Sequence, residues 1–237
     1  MTYNLFIMSS KPPKVSAIIV AAGDSWRMGG TDKLFAPLGG EPVLARVLDV
    51  FQKCQPVSQV VLVMGAKNIE EGRRIVALGH WSKITDICLG GKRRQDSVAE
   101  GLKRLKECDW VIIQDGARPF VTVDLIERGL EAAKETGAAA AAIPVTDTIK
   151  EVTDGGIVRQ TLPRENLRAV QTPQVFRFDI IKNTYKFVPA EVTDDASLVE
   201  KAGYKVKLFT GAYDNIKITS PIDLAAAEAL WKKYEQQ

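Results

Sequence analysis

Hydrophobic and polar positions follow two rhythms along this chain. Short apolar runs stand at 15–20, 60–63, 110–113 and 138–143, and 84–89 also reads as a strand. Between them, apolar residues return at helical spacing over 43–53, 68–78, 94–106 and 123–135. The first set predicts strands and the second helices. Pro42 stands where a helix accepts proline, at its first residue. In the 94–106 helix, Val98, Leu102 and Leu105 share one face. Near-continuous apolar strands alternating with amphipathic helices predict a mostly parallel, Rossmann-like α/β sheet with helices on both faces. Ligands of such sheets sit at the carboxyl ends of the strands, so the loops after Val20, Leu89 and Ile113 are expected to converge.

The rhythm breaks after Pro144. Residues 145–171 are polar, contain Asp154, Gly155 and Gly156, and lack a helical period. Segments 148–152 and 157–161 flank that turn and predict a β-hairpin. A hairpin of this length has little core of its own and needs a surface to pack on; a dimer partner is one answer. Helical spacing returns at 178–187 and 194–202, a strand is expected at 205–209, and Ser220 with Pro221 opens a last helix. One domain is expected over 13–237, with 144–170 as a protruding β-arm and 1–12 as a flexible leader. The leader has no basic start and no clear cleavage site, so it does not read as a signal peptide.

Composition narrows the function. The 237 residues suit one large α/β domain or two small ones, and 46% hydrophobic with 26% charged residues is ordinary for a globular protein. No stretch is apolar over the roughly 18 residues that a membrane-crossing helix needs. A net charge of +3 does not mark a nucleic-acid binder and suits a local basic pocket for anions. The cysteines Cys54, Cys88 and Cys108 are scattered, which argues against zinc and for a reducing compartment. The one histidine, His80, reads as a loop or helix-end residue, and His-based catalysis has no partners to work with.

Four loops carry candidate chemistry. Residues 21–28, AAGDSWRM, form a small-residue turn after a strand, where backbone N–H groups can approach an anion, and Arg27 and Lys33 bring two cations. A triphosphate needs such cations, because charge builds on the α-phosphate oxygens and the leaving pyrophosphate during transfer. Neither a P-loop nor a dinucleotide fingerprint is present. Residues 90–97, GGKRRQDS, place Asp96 and Ser97 near a helix start, as caps or as part of a nucleotide-holding loop. Asp115 follows a buried strand within QDGARPF, a position suited to a divalent cation such as Mg2+, which prefers one or two carboxylates plus phosphate oxygens. Lys217 alternates with Ile216 and Ile218, so it faces either solvent from an edge strand or a pocket. Together Arg27, Lys33, Asp115 and Lys217 form an inventory for phosphoryl-type transfer by charge stabilisation, without a covalent intermediate.

With these residues in view, the chain resembles the 2-C-methyl-D-erythritol 4-phosphate cytidylyltransferases of the non-mevalonate isoprenoid pathway, whose architecture is that of glycosyltransferase-A-like nucleotidyltransferases. The matching segments are IIVAAGDSWRM, DKLFAPLGGEPVL, GGKRRQDSVAEGL, DGARPF, PVTDTIK, TPQVF, VTDDASLVEKAG and DNIKIT, in family order over nearly the whole chain. The resemblance implies that CTP lies along Ala21, Ala22 and Gly23, with the base read near Gly91 and Ser97 and with Asp115 and Gly116 alongside. Arg27, Lys33 and Lys217 become the catalytic cations, and Asp115 the residue that positions Mg2+. The methylerythritol phosphate would meet Thr148 and Arg164, with Arg118, Thr172, Thr193 and Asp214 nearby. The arm would cross to a partner subunit, so that Thr148 and Arg164 act in the partner's site of a homodimer. The protein would be cytoplasmic and of bacterial type, with a plastid left open, and would engage neither nucleic acid nor membrane.

Three positions depart from the family pattern: Ser25 replaces a usual glycine, Gln114 a frequent histidine, and Trp26 is bulky for a phosphate loop. The nearest rival is a ribitol 5-phosphate cytidylyltransferase, or another nucleotidyltransferase on this fold, and Thr148 and Arg164 are the features that separate them. A non-catalytic nucleotide-binding regulator is the remaining alternative; it would be expected to lack Lys33 or Lys217, and both are present.

Overall fold

The structure is a computed structural model and describes residues 12–23, 32–187 and 191–236. The expected leader (apart from Pro12) and Ser25, Trp26 and Arg27 lie outside the described residues. The strands in chain order are β1 (Val15–Ala21), β2 (Pro37–Leu38), β3 (Glu41–Pro42), β4 (Val57–Met64), β5 (Ile84–Leu89), β6 (Trp110–Asp115), β7 (Ala138–Pro144), β8 (Lys150–Val152), β9 (Val158–Thr161), β10 (Arg168–Arg177) and β11 (Lys207–Thr210). The helices are α1 (Val43–Lys53), α2 (Ile69–Leu78), α3 (Arg94–Arg104), α4 (Val123–Thr136), α5 (Phe178–Phe187), α6 (Asp195–Lys201) and α7 (Pro221–Tyr234).

Seven strands form the central sheet in the order β11-β7-β10-β6-β1-β4-β5. The pairs β1–β4, β1–β6, β4–β5 and β7–β11 are parallel, and β10 runs antiparallel to both β6 and β7. Burial of both faces explains the continuous apolar strands. Along β1, Ala17, Ile19 and Ala21 enter one core with Leu44, Leu48 and Phe51 of α1 and Leu125 and Ile126 of α4. Ile18 faces the opposite core, with Val98 of α3, Ile180 and Ile181 of α5 and Val199 of α6. Leu102 and Leu105 pack against that second core beside Val98, as their spacing predicts. A third cluster joins α7 to the β2–β3 turn through Ala227, Leu38 and Phe120.

The expected elements are present, with four adjustments. Pro42 is the residue before α1, not its first; its extended ψ of 141° lets it pair with Pro37 in the β2–β3 ladder. The second apolar run extends to the full β4, and the run at 110–113 to Asp115, so that aspartate ends the strand. The 94–106 helix stops at Arg104. The fourth adjustment is the largest. The segment read as arm includes the start of β10, a ten-residue strand in the middle of the sheet. Gln171, Thr172, Pro173 and Gln174 interrupt its apolar pattern, and its register against β7 shifts between Val170 and Gln174. Proline cannot donate to a ladder, and an irregularity of this kind re-aims neighbouring side chains.

Beyond the sheet, β8 and β9 pair antiparallel as the expected hairpin. Val152, Ile157, Val158 and Val170 leave 49%, 72%, 52% and 41% of their surfaces exposed along this arm. No helix among the described residues is long and apolar enough to cross a membrane.

Candidate active site

The carboxyl ends of β1, β5 and β6 converge as the α/β topology requires. A Cβ added to Gly90 would stand 2.5 Å from the Ala22 Cβ and 2.6 Å from the Ser97 Oγ. A Cβ on Gly116 would stand 3.1 Å from the Ala21 Cβ and 3.3 Å from the Val20 carbonyl oxygen. The three loops therefore touch through backbone and small side chains, which leaves main-chain groups close together at the sheet edge. Ser97, buried in the first turns of α3, closes its own loop: its Oγ accepts from the Gly91 N–H at 3.2 Å. Neither Asp96 nor Ser97 is the cap of α3. That position is Arg93, and Asp96 accepts from the Arg93 N–H at 3.1 Å in a capping box.

Asp115 is the centre of the site. Its backbone N–H donates to the Thr172 Oγ at 3.1 Å, so the displaced stretch of β10 holds the end of β6. Its carboxylate meets three cations: Lys217 Nζ at 2.9 Å and Arg118 Nε at 3.3 Å on Oδ2, and Arg94 Nε at 3.3 Å on Oδ1. Burial alone pushes the Asp115 carboxyl up; Lys217, Arg94 and Arg118 outweigh it and hold the group well below the usual carboxylate range. Burial has the greatest effect on Arg118 as well, and it lowers that guanidinium. Lys217 thus turns its Nζ onto Asp115 while staying partly exposed, although 214–219 forms no regular strand: Ile218 on one side of it is buried and anchors the segment.

The polar residues of the β10 irregularity brace this arrangement. Asn215 donates to the Thr172 carbonyl at 2.8 Å and to Gln171 Oε1 at 3.3 Å, while Gln171 donates to the Ala212 carbonyl at 2.9 Å. Arg118 donates to the Asn215 carbonyl at 2.7 Å. Lys33 is buried in a turn whose first residue, Asp32, accepts from the Leu34 N–H at 3.0 Å and from Asn68 Nδ2 at 3.0 Å. Its Nζ lies 3.8 Å from where a Cβ on Gly23 would stand, which puts the lysine beside the loop after β1.

The remaining expected residues spread outward. Thr193 is exposed, directly before the α6 cap Asp194. Asp214 accepts a hydrogen bond from the Tyr234 hydroxyl, and that bond is the main reason the tyrosine is pushed up to about 12. Thr148 is exposed at the root of the arm. Arg164, in the turn Arg164–Asn166, bends back to the Thr146 carbonyl at 2.9 Å. Sequence reasoning missed Arg94, Asp195, Gln171, Gln174 and Asn215. Arg94 carried a signal: a cation as the first residue of a helix opposes the macrodipole, so it needs another reason to be there.

Among the described residues no group of three or more metal-ligating side chains comes together. The donor set for a metal is Asp115, one carboxylate already facing three cations. That set does not suit an ion held by protein ligands alone; Asp115 would hold Mg2+ only together with phosphate oxygens of a bound nucleotide.

Fold and site together define an α/β protein of the nucleotide-handling class, with a cation cluster around one aspartate at the carboxyl edge of its sheet. The family model described as 2-C-methyl-D-erythritol 4-phosphate cytidylyltransferase matches residues 15–233, and the chain belongs to that family of nucleotidyltransferase enzymes. It is 54% identical over 220 residues to the enzyme of that name from Dehalococcoides mccartyi, covering 93% of this chain and 97% of the relative. It is 45% identical to the one from Halalkalibacterium halodurans, covering 94% and 99%. Among solved structures, the 4-diphosphocytidyl-2C-methyl-D-erythritol synthase of Anaerococcus prevotii superposes with a TM-score of 0.82 at 31% identity, covering 95% of this chain and 97% of that one. The 2-C-methyl-D-erythritol 4-phosphate cytidylyltransferase of Thermus thermophilus gives 0.73 at 34%, covering 92% and 99%.

Proposed function

We propose that this chain transfers CMP from CTP to 2-C-methyl-D-erythritol 4-phosphate, giving 4-diphosphocytidyl-2-C-methyl-D-erythritol and pyrophosphate, at the Asp115 cluster. The observation that carries the assignment of the site is the gathering of Lys217, Arg118 and Arg94 within 3.3 Å of one buried carboxylate. That is a surplus of positive charge where a triphosphate would arrive. CTP lies along Ala21, Ala22 and Gly23, with the base toward Gly91 and Ser97 and the ribose and phosphates toward Asp115 and Gly116. Lys33 and Arg27 grip the triphosphate, and Lys217 faces the α-phosphate. The acceptor rests among Arg118, Thr172, Thr193 and Asp214.

The acceptor phosphate is already a nucleophile at neutral pH, so no general base is required. Its oxygen attacks the α-phosphorus in line as the bond to the β-phosphate oxygen breaks, and pyrophosphate leaves with the electron pair. Both reactants are anions. The cations offset their repulsion and the charge that grows in the transition state, and alignment supplies the rest. Mg2+, held by Asp115 and the nucleotide phosphates, would add charge neutralisation on the leaving group.

The same proposal treats 13–237 as one functional domain and 144–170 as a dimerisation arm that delivers Thr148 and Arg164 to the partner's site. Its support is the exposed apolar row on a hairpin with no core of its own. A cytoplasmic setting fits the three cysteines, which are buried free thiols. The test is pyrophosphate release with CTP and Mg2+, comparing methylerythritol 4-phosphate with ribitol 5-phosphate. Release with the first alone is expected; release with ribitol phosphate alone would move the protein to another acceptor, and release with neither would remove the catalytic reading.

A further inference from the structure

We propose that Tyr185 and Asp195 are positioning residues for the acceptor: acting through Arg94, they clamp the segment that carries Thr193 onto the Asp115 cluster. The proposal rests on the function argued above and names two residues outside its binding set.

Asp195 opens α6 and is fully buried. Its two carboxylate oxygens have separate donors. The Tyr185 hydroxyl, from α5, donates to Oδ1 at 2.5 Å, and Arg94 Nη1, from the start of α3, donates to Oδ2 at 2.6 Å. The same guanidinium reaches Asp115 through Nε at 3.3 Å, so one arginine spans two buried carboxylates. Burial alone lowers Arg94, and Asp195 and Asp115 outweigh it, so the guanidinium is held firmly charged. Burial and the neighbouring Asp195 push the Tyr185 hydroxyl up, so it stays protonated and remains a donor.

Asp195 sits in the first turn of α6 but is not its side-chain cap. Asp194 already caps α6, accepting from the Ser197 N–H at 3.0 Å. Two more contacts fix the strip around Thr193. Gln95 Oε1 accepts from the Val192 N–H at 3.2 Å, and Gln174 bridges Asp194 Oδ2 at 2.7 Å and the Ala196 N–H at 3.0 Å. Residues 192–196 are therefore bound from α3 on one side and β10 on the other, and the strongest of these links is the charged one through Arg94. Asp195 and Asp115 are held by different nitrogens of Arg94, Nη1 and Nε, so without Asp195 the Thr193 strip would lose its charged anchor.

The test uses the full chain and the variants Tyr185→Phe, Asp195→Asn and the double variant, with thermal unfolding to confirm that each is folded. Tyr185→Phe keeps the ring and removes one donor, so it remains informative if Asp195→Asn fails to fold. Tyr185→Phe is expected to raise KM for methylerythritol phosphate about tenfold, with KM for CTP within about twofold. The double variant should be no worse than Asp195→Asn, because both residues act on one element. Equal change in both KM values, no change in either, or additive losses would each overturn the proposal. A wild-type chain that releases no pyrophosphate would instead overturn the functional reading, and this inference with it.

Discussion

Asp115 decides the most at the scale of single residues. Its folded-state carboxyl is held below the usual range, so the unfolded chain takes up its proton first as pH falls. The stabilisation is complete above the unfolded pKa of about 4 and fades below it. Asp115→Asn is therefore expected to cost about 3 kcal/mol at pH 7, since it leaves the largely buried guanidiniums of Arg118 and Arg94, and the part-exposed Lys217, without their carboxylate. The gap to wild type in urea melts should narrow from pH 5 toward pH 3. A gap that stays constant over that range would show that the carboxylate does not titrate as its neighbours dictate. Asp115, Lys33 and Lys217 were legible as chemistry-bearing residues because each sits at a strand end or amid apolar neighbours. Asp195, Asn215 and Gln171 were not, and Arg94 showed only as a cation misplaced at a helix start, because their roles come from contacts such as Arg94 to Asp195, 101 residues apart. No local period encodes such a contact.

At the scale of elements, the meeting of the loops after β1 and β5 depends on the missing side chain at Gly90. Gly90→Ala would drive a methyl into the Ala22 Cβ and Ser97 Oγ, and neither Ala22 nor the buried Ser97 has a flexible end that could swing aside. Overpacking of this kind costs typically about 1–3 kcal/mol. The expected outcome is a KM for CTP raised about tenfold or more, with a smaller change for the acceptor, measured in steady-state kinetics. The helices and outer strands were legible because their periods are clean. β10 was hidden because a proline and three polar residues break its alternation, and those residues exist to turn Thr172 and Gln171 toward the site instead of extending a ladder. Lys217 reads from sequence as facing solvent or a pocket; its ion pair with Asp115, a tertiary contact, turns it to the site while leaving it partly exposed.

For the whole molecule, the arm sets the expectation. A hairpin whose apolar residues Val152, Ile157 and Val158 lie largely exposed calls for a covering surface. Light scattering at micromolar concentration should give a mass near twice 26.0 kDa, and Ile157→Glu with Val158→Lys should shift it toward the single chain. If Arg164 serves the partner's site, mixing Arg164→Ala subunits with Lys33→Ala subunits should restore roughly a quarter of wild-type turnover, since half of the mixed dimers' sites are intact. No recovery would place Arg164 in its own subunit's site. The need for a partner was legible in the coreless hairpin; which residues it delivers came from family resemblance, because a single chain does not contain the completed site.

In the proposed mechanism the cations around Asp115 carry the transfer by stabilising charge that appears only in the transition state. The most direct test is the steady-state kinetics of Lys217→Ala with CTP, Mg2+ and methylerythritol 4-phosphate. The expected kcat is lower by on the order of a hundredfold or more, with KM for CTP changed only a few-fold. A kcat close to wild type would contradict it and remove Lys217, and the site built around it, from the chemistry.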